Sequence, residues 1–201
     1  MGKFLKYEDF VDPIRKDKYD AITVFDVDDT LVITNSMIKV MDLQTGEKFE
    51  LTPSQFNEFE KRPHHEMDFS DFQNLEILKA GKIIEGIFKV LKDTMNKGRR
   101  VGIITARDNK NMIYQFLLHH GVAVNPNYIF AINDPRSEFK GTVAERKKQA
   151  FIELIKIGFK DFIFYDDDLE NIRLANSLAK EIKGVTIKTK HVDPEWKAKK
   201  K

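Results

Sequence analysis

Short apolar runs that end abruptly at a polar side chain constrain the fold of this chain more than any other feature. Three of them are residues 21–25 (AITVF) before Asp26, residues 101–104 (VGII) before Thr105, and residues 162–165 (FIFY) before Asp166. Uninterrupted, mostly apolar runs of this length are typical of parallel strands buried on both faces of a sheet. Residues 129–132 and 185–187 have the same character and predict two further strands.

Helical patterns lie between these runs. Each has apolar residues three or four positions apart: Ile84, Ile87, Phe88, Leu91 and Met95; Met112, Ile113, Phe116 and Leu117; Phe151, Leu154 and Ile155; and Ile172, Ala175 and Ala179. Strands that alternate with helices favour right-handed crossovers and a parallel sheet covered on both faces. We therefore predict an α/β fold with a doubly wound, Rossmann-like parallel sheet, in which the strand before Asp26 lies near the centre.

Residues 34–80 break this alternation. Residues 37–41 and 48–51 flank a Gln-Thr-Gly-Glu turn, a pattern that indicates a β-hairpin. We predict an α/β core built from residues 1–33 and 81–201, with residues 34–80 inserted as a small lobe over the sheet.

The composition excludes several classes of protein. The chain has no cysteine, so neither a disulfide framework nor a thiolate metal site is possible. Its net charge of +2 does not by itself indicate a nucleic-acid binder, and the lysine-rich residues 197–201 are expected to be a solvated end. No apolar run is long enough for a membrane span or a signal peptide. We expect a cytoplasmic protein with no membrane contact, and no obligate protein partner is implied.

Acidic side chains are concentrated after two of the predicted strands. Asp26 and Asp28 follow the first strand, and Asp166 and Asp167 follow the strand at residues 162–165. Ligands of parallel α/β sheets bind at the carboxyl ends of the strands. If these strands are neighbours, the carboxylates converge, and two of them about 4 Å apart repel by about 4 kcal/mol at an effective dielectric constant near 20. Oxygen ligands of this kind indicate a hard cation, with Mg²⁺ first.

Each of these residues also has a simpler interpretation. A single Asp-x-Asp after a strand is usually a turn or a helix cap, which remains our interpretation of Asp29. Arg107 either contacts a phosphate or substrate, or pairs with a carboxylate. A lysine at the start of a helix is Lys147 or Lys148, and Lys148 is favoured by its helical spacing from inward-facing apolar residues. Two acidic clusters with suitable Thr and Lys residues between them favour a functional site.

The order of these motifs resembles that of the haloacid dehalogenase superfamily of phosphotransferases. The four matching motifs are Asp26-Val27-Asp28-Asp29-Thr30, Thr105 after its strand, a helix-opening lysine, and Asp166-Asp167. They extend from about residue 21 to residue 172, which is most of the chain. The resemblance implies a phosphatase core, and residues 34–80 resemble the small cap found between the first two motifs in that superfamily.

The resemblance also implies roles for individual residues. Asp26 would attack phosphorus and form an aspartyl-phosphate, and Asp28 would protonate the leaving oxygen and then activate water. Thr105 would hydrogen-bond the phosphoryl group, and Lys148 would neutralise its charge. Arg107 would be a further contact to phosphate or substrate.

A magnesium site is implied by the same resemblance. The ligands would be the carboxylates of Asp26 and Asp166 and the backbone carbonyl of Asp28. Asp167 would support the ion directly or through water. The transferred phosphoryl group spreads negative charge over its oxygens, so a cation beside the nucleophile suits this chemistry.

The function expected from these residues is Mg²⁺-dependent hydrolysis of a phosphomonoester. The substrate would be a nucleotide, another small phosphorylated metabolite, or a phosphorylated polynucleotide end. The last option follows from a similarity to small bacteriophage and bacterial members of the superfamily, including the phosphatase domain of polynucleotide kinase–phosphatases. The alternatives are a phosphotransferase or phosphomutase of the same superfamily, and a catalytically silent protein that binds phosphorylated ligands on this scaffold.

Overall fold

The computed structural model describes residues 5–10, 12 and 16–193, and the lysine-rich end 197–201 lies outside them. The strands are β1 (Leu5–Lys6), β2 (Ala21–Phe25), β3 (Val32–Ile33), β4 (Ile38–Asp42), β5 (Lys48–Leu51), β6 (His65–Asp68), β7 (Lys82–Ile83), β8 (Arg100–Thr105), β9 (Ile129–Ala131), β10 (Asp161–Asp166), β11 (Ile182–Lys183) and β12 (Thr186–His191). The α-helices are α1 (Pro53–Glu58), α2 (Leu75–Ala80), α3 (Glu85–Asn96), α4 (Lys110–His119), α5 (Val143–Ile157) and α6 (Leu169–Glu181). Short 3₁₀ helices occupy Tyr7–Asp9, Ser70–Gln73 and Pro126–Tyr128.

A five-stranded sheet in the order β12-β10-β2-β8-β9 forms the centre of the molecule. All of its neighbouring strands pair in parallel. The strand that leads to Asp26, β2, is the middle one. The prediction of an α/β fold with a parallel sheet is therefore confirmed, as is the central position of this strand.

Helices cover both faces of this sheet. Successive residues of a strand point to opposite faces, and Phe25 belongs to one buried cluster whereas Val24 belongs to the other. The helices that contribute to the cluster around Phe25 include α3 and α4. The helices that contribute to the cluster around Val24 are α5 and α6. Each fully buried aliphatic or aromatic side chain contributes about 1.5–3 kcal/mol, so both layers stabilise the sheet that carries the candidate site.

The edge strand β12 extends beyond its prediction from sequence. An apolar run predicted a strand over residues 185–187, whereas β12 runs over Thr186–His191. Most of its residues, including Lys188 and Lys190, are exposed, and only Ile187 is buried. An edge strand with charged residues has no continuous apolar run, and lysines there discourage pairing with another chain.

Helix α5 begins five residues before the predicted start at Lys148. Thr142 is its N-cap and accepts a hydrogen bond from the backbone of Glu145, whose side chain accepts one from the backbone of Thr142 in return. This capping box satisfies two backbone donors at the helix start. As a result, Lys147 and Lys148 lie in the second turn of α5.

Residues 34–80 contain a small antiparallel sheet in the order β5-β4-β6. Strands β4 and β5 form a hairpin in the region where the sequence predicts one. The adjoining strands β3 and β7 pair with each other at the two ends of this stretch, with Val32 opposite Ile83. The chain therefore leaves the core and returns to it at the same place. Within the described residues, no helix has the length and apolar character needed to cross a membrane.

Candidate active site

Asp26 and Asp166 lie side by side at the carboxyl end of the central sheet. In the parallel pairing of β2 with β10, Phe25 is opposite Tyr165, so the next residue of each chain segment is an aspartate. The Asp26 amide donates to the Tyr165 carbonyl at 3.0 Å. The rings of Phe25 and Tyr165 stack with their centroids 5.0 Å apart. Both aspartates are buried, at 5% and 0% exposure.

Lys147 joins these two carboxylates. Its Nζ lies 2.9 Å from Asp26 Oδ1 and 2.7 Å from Asp166 Oδ2, and its side chain is only 4% exposed. The expectation that Lys148 is the lysine of this site is thus corrected. Lys148 points to the neighbouring helix α6, where its Nζ lies 2.7 Å from Glu181 Oε1.

The second oxygen of Asp166 is held by the start of α6. Its Oδ1 accepts from Asn171 Nδ2 at 3.0 Å and from the Asp168 amide at 2.9 Å. Asp168 is also the N-cap of α6, and Asn171 is 5% exposed. The position of Asn171, one helical turn after the fourth motif, allows either a residue that steadies the acidic loop or an ordinary residue of the early helix, and its contact with Asp166 agrees with the first.

Acidic side chains outnumber basic ones among the groups that face Asp26. Burial raises the pKa of Asp26 well above its usual range, and Asp166, Asp167 and Asp28 raise it further, while Lys147 opposes them. Burial lowers the pKa of Lys147, but the adjacent carboxylates of Asp166 and Asp26 outweigh burial and raise it overall. The adjacent carboxyl groups therefore favour the charged form of Lys147, and its single ammonium faces several carboxyl groups.

The donor set at this point fits a hard divalent cation. Carboxylate oxygens of Asp26, Asp166 and Asp167 all lie within 4.8 Å of one another. The set contains only oxygen donors, and it combines an excess of negative charge with a position at the ligand-binding edge of the sheet. Mg²⁺ prefers such ligands. Asp26, Asp166 and Asp167 are the residues that would hold such an ion, and the Mg²⁺ site itself stays a prediction.

The side chain of Asp28 pairs with Arg107, a contact that the resemblance to the superfamily does not imply. Both of its carboxylate oxygens accept hydrogen bonds from Arg107, with Oδ1 2.7 Å from Nη2 and Oδ2 2.8 Å from Nε. The predicted alternatives for Arg107 were a phosphate contact and a carboxylate pair, and the structure contains the pair. The turn between Asp28 and β3 is tight because Asp29 adopts the left-handed conformation, with φ of 56°.

Arg107 also connects the core to residues 34–80. Its Nη1 donates to the Phe72 carbonyl at 2.6 Å, and its side chain is only 1% exposed. A neighbouring contact joins Gln73 Nε2 to Asp108 Oδ2 at 2.6 Å. The turn at Ser70–Gln73 is therefore attached to the loop that follows β8. Sequence reasoning missed this attachment because the partners lie about 35 positions apart and one of them is a backbone carbonyl.

Thr105 ends β8, the strand next to β2, and is fully buried. Its Oγ1 accepts a hydrogen bond from the Arg107 amide at 3.3 Å. Thr105 thus lies at the same edge of the sheet as the aspartates, and it shapes the loop that carries Arg107.

A second group of possible ligands lies in the inserted sheet. Asp42, His64 and His65 have ligand atoms within 4.8 Å of one another. The backbone amide of Arg62 donates to His65 Nδ1 at 3.2 Å, so the proton of a neutral ring is on Nε2, the atom that faces Asp42. This arrangement is an imidazole–carboxylate contact, and its nitrogen donors are not those that Mg²⁺ prefers.

No protein-family model, curated protein or solved structure matches this chain. The residues of the site are therefore interpreted from their own geometry and chemistry.

Replacement of Arg107 by Gln tests the attachment of residues 34–80 to the core. We expect a loss of about 1–3 kcal/mol in the free energy of unfolding, because the variant leaves polar groups at Asp28 and Phe72 without their buried donor. Amide hydrogen exchange should become faster at Ser70–Gln73. Gln73→Ala is the control, since it removes only the exposed contact to Asp108. Equal exchange rates in the two variants would show that Arg107 does not fasten this turn.

Proposed function

We propose that this protein is a Mg²⁺-dependent phosphomonoester hydrolase of the haloacid dehalogenase type, with Asp26 as its nucleophile. The observation that carries the proposal is the contact of buried Lys147 with both Asp26 and Asp166, beside the third carboxylate of Asp167. A buried ammonium keeps Asp26 oriented and offsets part of the repulsion that a phosphate dianion would meet.

The chemistry would proceed in two displacements at phosphorus. In the first, an Asp26 carboxylate oxygen forms a bond to phosphorus while the bond to the leaving oxygen breaks, and Asp28 gives that oxygen a proton. In the second, the oxygen of water would form a bond to phosphorus while the bond between phosphorus and the Asp26 oxygen breaks. Asp28 would take a proton of that water, inorganic phosphate would leave, and the Asp26 carboxylate would be regenerated. Mg²⁺ held by Asp26, Asp166 and Asp167 would neutralise charge on the phosphoryl oxygens.

Arg107 supports the role of Asp28 by orienting it. A bidentate guanidinium–carboxylate pair fixes both oxygens of the carboxylate in one plane. In this orientation Asp28 would give a proton to the leaving oxygen in the first displacement and take one from water in the second.

The inserted sheet is part of the same proposal as a small cap beside the site. Its turn at Ser70–Gln73 contacts the loop after β8 through Arg107 and Asp108. A lobe in that position would limit access of water and contact the part of the substrate beyond the phosphate. The substrate is a phosphorylated small molecule, a nucleotide or a phosphorylated polynucleotide end.

Metal dependence is the first test of this function. Phosphate release should be measured over nucleotides, sugar phosphates, an aryl phosphate and 3′- or 5′-phosphorylated oligonucleotides. We expect turnover of at least one substrate with Mg²⁺, loss of turnover with EDTA, and recovery when excess Mg²⁺ is added back. Turnover that is unchanged by EDTA would contradict the metal site, and a lack of turnover with every substrate would contradict the hydrolase.

A further inference from the structure

Arg146 differs from the other arginines around the candidate site in its partners. Arg107, Arg136 and Arg173 each pair with a carboxylate through two hydrogen bonds. In contrast, Arg146 donates from Nε to the Gly141 carbonyl at 2.8 Å and from Nη1 to Asn133 Oδ1 at 2.6 Å. Both acceptors are neutral, so the guanidinium is held in one orientation while its charge is not compensated by them.

The nearest acidic side chain in the sequence does not compensate Arg146 either. The carboxylate of Glu145 accepts from the Thr142 amide at 2.7 Å as part of the capping box of α5. Among residues 16–193, no carboxylate forms an ion pair with Arg146, and its Nη2 has no hydrogen-bond partner. Nη2 of an oriented guanidinium thus stays available to donate a charge-assisted hydrogen bond to an anion.

The position of Arg146 is beside the candidate active site. It directly precedes Lys147 on α5, and Lys147 contacts Asp26 and Asp166 at the carboxyl edge of the sheet. Its partner Asn133 follows β9, and the Asn133 amide donates to the Arg107 carbonyl at 3.4 Å. The Ile132 amide donates in turn to the Thr105 carbonyl at 2.9 Å. Backbone hydrogen bonds therefore tie the loop that orients Arg146 to the loop that carries Thr105 and Arg107.

We propose that Arg146 forms an anion subsite that takes a second phosphate group of the substrate. The inference rests on the proposed function, because the first phosphate is the one that Asp26 would attack. It deepens that function by favouring substrates with two phosphate groups over simple monophosphates. The second group is either another monoester, as in a nucleoside bisphosphate, or the neighbouring diester of an oligonucleotide.

The test is equilibrium binding of matched ligands, which needs no turnover. Titration calorimetry in an Asp26→Asn background with Mg²⁺ compares adenosine 3′,5′-bisphosphate with adenosine 3′- and 5′-monophosphates. Arg146→Gln should lower the ratio of bisphosphate to monophosphate affinity about tenfold, the loss typical of one charge-assisted hydrogen bond. Arg136→Gln is the control, because it makes the same change in the loop between β9 and α5, at an arginine whose charge is already paired with Asp134.

The outcomes distinguish this inference from the proposed function. An unchanged affinity ratio in Arg146→Gln, or an equal fall in Arg136→Gln, would overturn the subsite. The same variants in the otherwise wild-type chain provide a second measurement, the ratio of kcat/KM for bisphosphate and monophosphate. If the wild-type chain releases no phosphate, the hydrolase proposal fails, but the binding ratio still decides the role of Arg146. A 3′-phosphorylated dinucleotide, run in parallel, shows whether a diester supports the same tenfold discrimination.

Discussion

Asp26→Asn should reduce Mg²⁺-dependent phosphate release by at least about 1,000-fold, because a carboxamide cannot form the aspartyl-phosphate. The substitution preserves the shape of a buried side chain that contacts Lys147. The folded state should therefore persist, and the loss should be in kcat. Steady-state kinetics with the best substrate of the phosphate-release screen measures the effect, and circular dichroism checks the fold.

Asp161→Asn is the matched control for this substitution. Asp161 begins β10, at the opposite end of the strand from Asp166, and accepts a hydrogen bond from Thr186 at 2.6 Å. The same chemical change at that end of the sheet should alter the rate by less than about twofold, as for surface sites away from special features. Comparable rates for Asp26→Asn and Asp161→Asn would remove Asp26 from the reaction.

Lys147→Met should have the second largest effect, and it should affect both stability and activity. The variant leaves Asp26 and Asp166 buried without their shared cation, so in EDTA the free energy of unfolding should fall by about 3–5 kcal/mol. Mg²⁺ should recover part of this loss, since a ligand that binds only the folded state stabilises it. Phosphate release should fall by at least about 100-fold, because the oriented cation next to the nucleophile is lost.

The adjacent residue provides the control. Lys148→Met removes one positive charge from the same helical turn, but Lys148 contacts Glu181, whose side chain is half exposed. Such a pair contributes about 1 kcal/mol or less, and the rate should stay within about twofold. Urea denaturation in EDTA and in Mg²⁺ gives the stabilities of the two variants. A larger loss in Lys148→Met than in Lys147→Met would contradict the assignment of Lys147 to the site.

The strands of the central sheet can be predicted from the sequence because most of them are buried on both faces. Residues 21–25 form β2 with the predicted bounds, and the runs before Thr105 and Asp166 form β8 and β10. The aspartates follow those runs directly, so their convergence required only that the strands be neighbours. The edge strand β12 lacks this burial, so its short apolar run predicts only part of the strand.

The choice between Lys147 and Lys148 depends on which face of α5 is buried. The predicted phase rested on Phe151 and Ile155, whereas the buried stripe of α5 also includes Ala144, Lys147, Ala150 and Leu154. Lys147 lies in the middle of that stripe and Lys148 at its border with α6. A lysine counts as a polar residue in a hydrophobic pattern, so the pattern does not predict that Lys147 belongs to the buried face of α5. Only the carboxylates that face it make its burial favourable.

Contacts between distant segments were not predictable from local patterns. The bidentate pair of Arg107 with Asp28 joins residues 79 positions apart, and the Phe72 carbonyl is offered by an irregular turn. The neutral partners of Arg146 depend on where the loop after β9 returns to α5. Such contacts follow from tertiary packing, which neither motif spacing nor hydrophobic periodicity encodes.

A chemical trap of the phosphorylated aspartate tests the central claim most directly. Wild-type protein is acid-quenched during turnover of its best substrate with Mg²⁺, reduced with borohydride, digested and analysed by mass spectrometry. An acyl-phosphate at Asp26 would be reduced to homoserine at that position, and the label should be absent without substrate and in the Asp26→Asn variant. Homoserine at another aspartate, or at none while phosphate is released in a rapid burst, would contradict Asp26 as the nucleophile.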